Sequence, residues 1–147
     1  MNREFIATTS MAIDAPVEKV WKALTDPAII QEYMHGIEVN TTWALFAPIT
    51  FTGTHEGQPF IDKGTILEIK PERVLSYSYW SPLWGMEDFE DNYTHITFHL
   101  SKFDENMDLI VVQDNLTDEH EVEKSELKWI AVLRKIKSLV EHQSHWS

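Results

Sequence analysis

The feature that most constrains this chain lies at its C-terminal end. Asp118 is followed three residues later by Glu121, the pattern of a helix-initiating capping box. Val122, Leu127, Trp129, Ile130, Val132, Leu133, Ile136, Leu139 and Val140 then recur at helical spacing. The pattern predicts a helix over 118–142, about 37 Å long at ~1.5 Å per residue. One face is apolar (Trp129, Val132, Leu133, Ile136, Val140), and the other carries Glu123, Lys124, Lys128, Lys135 and Lys137. A helix of this kind must lie along a large apolar surface, because its greasy stripe gains nothing in water.

The rest of the chain supplies that surface as a sheet. From Gly36 to Asn115 apolar runs at 37–45, 49–55, 60–70, 73–80, 93–101 and 107–114 alternate with turn residues: His55-Glu56-Gly57, Lys70-Pro71-Glu72 and Asp104-Glu105-Asn106. Links this short favour antiparallel neighbours. A further strand is expected at 5–13. After it, Asp14-Ala15-Pro16 starts a short helix over 16–24, and Asp26-Pro27 starts another to about Tyr33, with Asp26 as N-cap. The expected fold is α+β: an antiparallel sheet of six to seven strands, two short helices after the first strand, and the long terminal helix. With 147 residues and no linker or repeat, one domain over 1–147 is expected.

Composition narrows the function classes. Twenty-four acids against 12 bases give a net charge of −12, so nucleic acid and anionic membranes are disfavoured as partners. There is no cysteine, which removes disulfides, thiolate catalysis and zinc–thiolate sites. The N-terminal stretch lacks a signal-peptide apolar run, and no apolar span approaches about 20 residues. A soluble cytoplasmic protein is expected.

Three stretches together resemble a known family. They are "IDAPVEKVWKALTDP" (13–27), "KGTILEIKPERVLSYSYW" (63–80) and the final helix with Trp129. They resemble the SRPBCC superfamily, of Bet v 1/START-like helix-grip fold, and most nearly its AHSA1-like branch, named for the activator of Hsp90 ATPase. The resemblance implies a curved sheet gripping the C-terminal helix with a cavity between them. It also implies lipid, hormone or polyketide binding in some relatives, and a chaperone contact or cyclase-like chemistry in others. Here Lys128 precedes Trp129 where the family often has glycine, and Tyr33 stands where it often has tryptophan.

The candidate site residues follow from which side chains can face the space between sheet and helix. Tyr77 and Tyr79 share a strand face with Leu75. With Trp43, Phe51, Phe98, Trp129, Leu133 and Ile136 they form either simple core or the wall of a pocket for a small hydrophobic or aromatic molecule. "SYWSPLWGMEDFEDN" (78–92) places Trp80 in the sheet and Trp84 and Met86 on the loop after it, where they either roof the pocket or anchor a protein partner, a chaperone or a second copy. Enzymatic chemistry would need an acid or base in the pocket, and only His55, Tyr77, Tyr79, Asp62 and Gln113 come near it. His55-Glu56 reads as a solvated turn, and His95 and His99 on one strand are ~13 Å apart, too far to share a metal. His142 and His145 read as a solvated tail. No HExxH, nucleophile elbow or phosphate loop is present, so neither metal nor cofactor is expected.

Overall fold

The computed structural model of the chain describes residues 5–103 and 106–142. Strand β1 (Ala7–Ile13) is followed by helices α1 (Val17–Thr25) and α2 (Pro27–Tyr33). Six strands come next: β2 (Glu38–Asn40), β3 (Pro48–His55), β4 (Gln58–Lys70), β5 (Val74–Tyr79), β6 (Thr94–Phe103) and β7 (Asn106–Gln113). The chain then ends in α3 (Glu119–His142). The strands form one antiparallel sheet in the order β1-β7-β6-β5-β4-β3-β2. The first strand thus sits beside the last, and α1 and α2 carry the chain from one sheet edge to the other. The fold is the expected seven-stranded helix-grip arrangement.

Local chemistry accounts for the boundaries. Pro16 holds an extended backbone just outside α1 rather than its first turn; in either position its missing N–H is harmless. Asp26 ends α1 and caps α2 by accepting the Ala28 N–H at 2.9 Å. Asp118 likewise accepts the Glu121 N–H at 2.9 Å, the contact the capping-box pattern predicts. At the β3–β4 hairpin, Glu56 and Gly57 both have positive φ (52° and 81°), the primed-turn geometry that matches strand twist. The predicted 37–45 strand stops at Asn40, because Trp43 and Phe46 take left-handed φ values of 60° and 65° that break extended pairing. Gly64 has a different role. A Cβ there would lie 1.6 Å from the Ser78 carbonyl oxygen, so only glycine lets β4 approach β5 so closely at Ser78, beside the Lys63–Trp80 bridge. Of the expected β6–β7 turn, Asp104 and Glu105 lie outside the described residues, as does His145.

Helix α3 buries Ser125, Trp129, Val132, Leu133, Ile136 and Val140, which includes every residue of the apolar stripe read from the sequence. Leu127, which shares the helical spacing, is 70% exposed on the opposite side. Burial of each large apolar side chain stabilises by roughly 1.5–3 kcal/mol. The helix also closes the free edge of β1. Glu126 accepts the Thr8 N–H, Lys137 donates to the Ala12 carbonyl, and Glu141 accepts the Asp14 N–H. Side chains thereby occupy backbone groups that would otherwise invite edge pairing.

Candidate functional site

The inner face of the sheet changes character along its width. Towards β3–β5 it is aromatic, and the rings touch in sequence. Trp129 of α3 meets Phe98 edge-on at 5.6 Å, and Phe98 lies 6.3 Å from Tyr77. Tyr77 lies 5.4 Å from Phe51, Phe51 5.0 Å from Tyr79, and Tyr79 5.8 Å from Trp84. These are favourable offset separations for ring pairs. The row starts in the core and ends at the surface, where Trp84 is 40% exposed.

A cavity opens beside the inner part of this row. It is lined by Leu24, Ile30, Tyr33, Met34, Val39, Trp43, Ile49, Phe51, Leu75, Tyr77, Phe98 and Trp129. Counted out to its mouth the empty space is about 380 Å³, but only about 30 Å³ is wide enough for the centre of a water molecule. That admits a few waters at most. Trp43 closes one side from a loop held in left-handed conformation and anchored to β4, with Phe46 N–H donating to the Ile66 carbonyl at 2.8 Å. A tryptophan at positive φ is costly and persists only where its surroundings hold it.

Two polar clusters fix the rings. Gln113 is buried on β7; its Oε1 accepts from Trp129 Nε1 at 2.9 Å and from Ser125 Oγ at 2.8 Å, and its Nε2 donates to Thr94 Oγ1 at 3.3 Å. This locks the indole of Trp129 in one orientation. At the other end, the Tyr79 hydroxyl donates to Asp62 Oδ2, while Asp62 Oδ1 is buried with no hydrogen-bond partner among the described residues. Burial, the hydrogen bond to Asp62 and the Asp62 charge together push the Tyr79 phenol far above its ordinary value. Burial does the same for Tyr77 and, with the neighbouring Tyr77, for Tyr33. All three are therefore neutral hydroxyls at physiological pH. Desolvation lowers the Lys128 ammonium, partly offset by the charge of Asp62.

Of the residues nominated from sequence, Trp43, Phe51, Tyr77, Phe98 and Trp129 border the cavity. Tyr79 stands one ring further out. Trp84 and Met86, expected as a roof, do not line the cavity: the 3₁₀ turn Pro82–Trp84 ends at Gly85 with φ 73°, and Met86 is left 38% exposed. Leu133 and Ile136 are fully buried but lie away from the cavity lining. Sequence reasoning missed Leu24, Ile30, Tyr33, Met34, Val39, Ile49 and Leu75 as lining. Their helical and strand periodicities marked several as buried, but nothing in the sequence says that α1 and α2 close the space between sheet and α3. Trp80 pairs with Lys63, within 5.8 Å of its ammonium, and stacks on Tyr93. Hydrogen bonding to Lys63 and to the Tyr93 hydroxyl holds the Asp88 carboxyl below its ordinary range, and burial and Asp88 raise Tyr93 to about 12. His55 is exposed, and His95 and His99 face the outer side. Among the described residues no three His, Asp or Glu side chains are grouped to hold a metal ion, and no helix is long and apolar enough to cross a membrane.

Comparison with known proteins gives these features a family. ChR145 from Cytophaga hutchinsonii, known from its solution structure, is 37% identical; the match covers 97% of this chain and 98% of that one, with a TM-score of 0.86. DynU16, from the dynemicin biosynthetic locus, is 16% identical and superposes with a TM-score of 0.77 over 95% of this chain and 48% of its own. The Aha1 dimer from Colwellia psychrerythraea is 13% identical, with a TM-score of 0.73 over 95% and 98%; these last two likenesses are of fold alone. No curated protein is significantly similar to the chain. The sequence model described as "Activator of Hsp90 ATPase homolog 1-like protein" matches residues 14–141. This chain belongs to that family.

Proposed function

We propose that the domain is a binding module that takes a small hydrophobic or aromatic guest into the space beside the ring row. One observation carries the reading: aromatic side chains from the sheet, α2, α3 and the Trp43 loop converge on a stretch of the interior that the side chains do not fill. A core built only for stability closes such gaps, since each costs packing energy. The closed space is far smaller than the ~300 Å³ at the lower end of ordinary ligand sites, so the guest displaces Trp43. The left-handed strain of that loop lowers the cost of opening. Phe51, Tyr77, Phe98 and Trp129 then contact the guest, Tyr79 and Trp84 extend the ring row from there to the surface, where Met86 follows on the exposed loop, and Leu133 and Ile136 steady the helix that carries Trp129.

Thermal shift against fatty acids, sterols and aromatic polyketides tests this. A guest at 100 times its Kd adds about 2.7 kcal/mol of stability, an upward shift of several degrees. If no class moves the midpoint, the domain is not a module for such guests.

A second reading has its own support. Leu83, Trp84, Met86 and Phe89 are 53%, 40%, 38% and 61% exposed within one short segment, flanked by Glu87, Asp88, Glu90 and Asp91. An apolar anchor with an acidic rim suits a protein partner, a chaperone or a second copy of this chain. Binding to purified Hsp90, or dimerisation, that is lost in Trp84→Ala supports this role; partner binding untouched by the substitution removes the segment from it.

A further inference from the structure

Among the described residues, no charged side chain lines the cavity beside Trp129. An ionised guest would be buried there without a counter-charge, at large cost. The polar hydrogens of the wall belong to the hydroxyls of Tyr33 and Tyr77 and the indoles of Trp43 and Trp129. Two of them are committed. Trp129 Nε1 donates to Gln113, and the Tyr33 hydroxyl donates to the Ala23 carbonyl at 2.8 Å. That carbonyl needs such a donor, because the residue four places on is Pro27, which has no N–H to continue α1. Trp43 belongs to the half-buried loop that the guest displaces.

Tyr77 differs from all three. It stands on the central strand of the sheet, is 6% exposed, and has its ring packed between Phe51 and Phe98. Its hydroxyl makes no hydrogen bond to any described residue. Among those residues, the polar side-chain atoms sealed from water without a partner are Thr9 Oγ1, Asp62 Oδ1 and Trp80 Nε1. The Tyr77 hydroxyl is not one of them, so it still borders open space, and the open space that Tyr77 lines is the cavity. Burial pushes its phenol well above the ordinary value, so the hydrogen is present throughout the physiological range.

An unused donor in an apolar wall is costly unless something in the cavity accepts from it. A guest carbonyl does so and brings no hydrogen of its own. A hydrocarbon leaves the hydroxyl bare, and a guest O–H or N–H adds a second hydrogen that must find an acceptor in the same wall. We propose that Tyr77 is the polar handle of the guest site, donating its hydroxyl hydrogen to the carbonyl oxygen of a neutral, otherwise apolar guest such as an aromatic ketone. The inference rests on the binding function proposed above and names the chemistry of its ligand.

Acetophenone and α-methylstyrene have nearly one shape and differ in C=O against C=CH2; benzoate adds a charge. Each is titrated into the protein and followed at the methyl resonances of Ile49 and Leu75, which line the cavity. Tyr77→Phe is expected to lower the ratio of acetophenone to α-methylstyrene affinity about tenfold, whereas Tyr33→Phe leaves that ratio within about twofold. Benzoate is expected to bind most weakly of the three. Without a guest, Tyr77→Phe should melt no lower than wild type, because no hydrogen bond within the protein is lost, while Tyr33→Phe should melt lower. A ratio unchanged in Tyr77→Phe, benzoate bound as tightly as acetophenone, or a guest-free Tyr77→Phe protein as destabilised as Tyr33→Phe overturns the handle while leaving an apolar guest possible. Binding of neither acetophenone nor α-methylstyrene overturns the handle and the proposed function together.

Discussion

The two ends of the interface between sheet and helices are built differently. Under the C-terminal half of α3, the core holds Ile13, Leu109, Leu133, Ile136 and Val140, each no more than 2% exposed, and none of them lines the cavity beside Trp129. Here the helix is tied to β1 by Lys137 and Glu141. Around Trp129 the interior is instead aromatic and incompletely filled, bordered by a strained tryptophan and flanked by the half-satisfied carboxylate of Asp62. Aliphatic side chains with few rotamers close tightly on each other, whereas large rings meet at angles and leave gaps. The first end supplies stability; the second gives up some of it for room.

Truncation in the solid end has the largest expected effect. Leu133→Ala should cost about 2–5 kcal/mol, read as a lower denaturant midpoint at unchanged m-value. Adding a methylene should separate the two ends by sign. Val140→Ile overfills the solid end and is expected to destabilise by about 1–3 kcal/mol. Val39→Ile grows into the cavity and is expected to stabilise by up to about 0.8 kcal/mol while weakening guest binding. Equal penalties at both positions would erase the distinction.

The loop beside the cavity offers a smaller test of strain. Phe46 has φ 65° and is 70% exposed, so its ring contributes little packing. Phe46→Gly should therefore raise stability by about 1 kcal/mol, the reverse of the usual effect of glycine. A loss on chemical denaturation would show that the loop stores no strain.

The smallest effect is at the tie between α3 and β1. Burial pushes the Glu141 carboxyl up, but the hydrogen bonds from Lys137 and the Asp14 N–H and the nearby positive charges outweigh it, leaving the group below its ordinary value. A carboxyl depressed in the folded state contributes stability at pH above its unfolded value, and this is lost as pH falls through the folded one. Wild-type protein should lose more stability than Glu141→Gln between about pH 5 and pH 3. Parallel pH profiles would show that the tie carries no weight.

How far the sequence could be read follows the same division. The solid end was legible because it rests on periodicity: the stripe Trp129, Val132, Leu133, Ile136 and Val140 is buried as spacing requires. Capping at Asp26 and Asp118 was equally plain. At the aromatic end, periodicity brought Phe51, Tyr77, Phe98 and Trp129 inward but could not say what stands opposite them. Leu24, Ile30 and Tyr33 close the cavity because β1 and β2 occupy opposite sheet edges and α1 and α2 must span between them, a long-range consequence of strand order. The left-handed backbone of Trp43 and Phe46 left no trace either, since neither is a residue that favours that conformation. Trp84 and Met86 went outward because Gly85, at φ 73°, turns the chain there, a local choice that the residue types alone do not dictate.

The most direct test is a methyl-resolved NMR titration of the protein with p-xylene. Expected are shifts at the methyl groups of Leu24, Ile30, Met34, Val39, Ile49 and Leu75 that saturate together, with Leu133, Ile136 and Val140 unmoved. Shifts at the surface segment 83–89 alone, or no shift at any of these methyls, would contradict a guest site at the aromatic end.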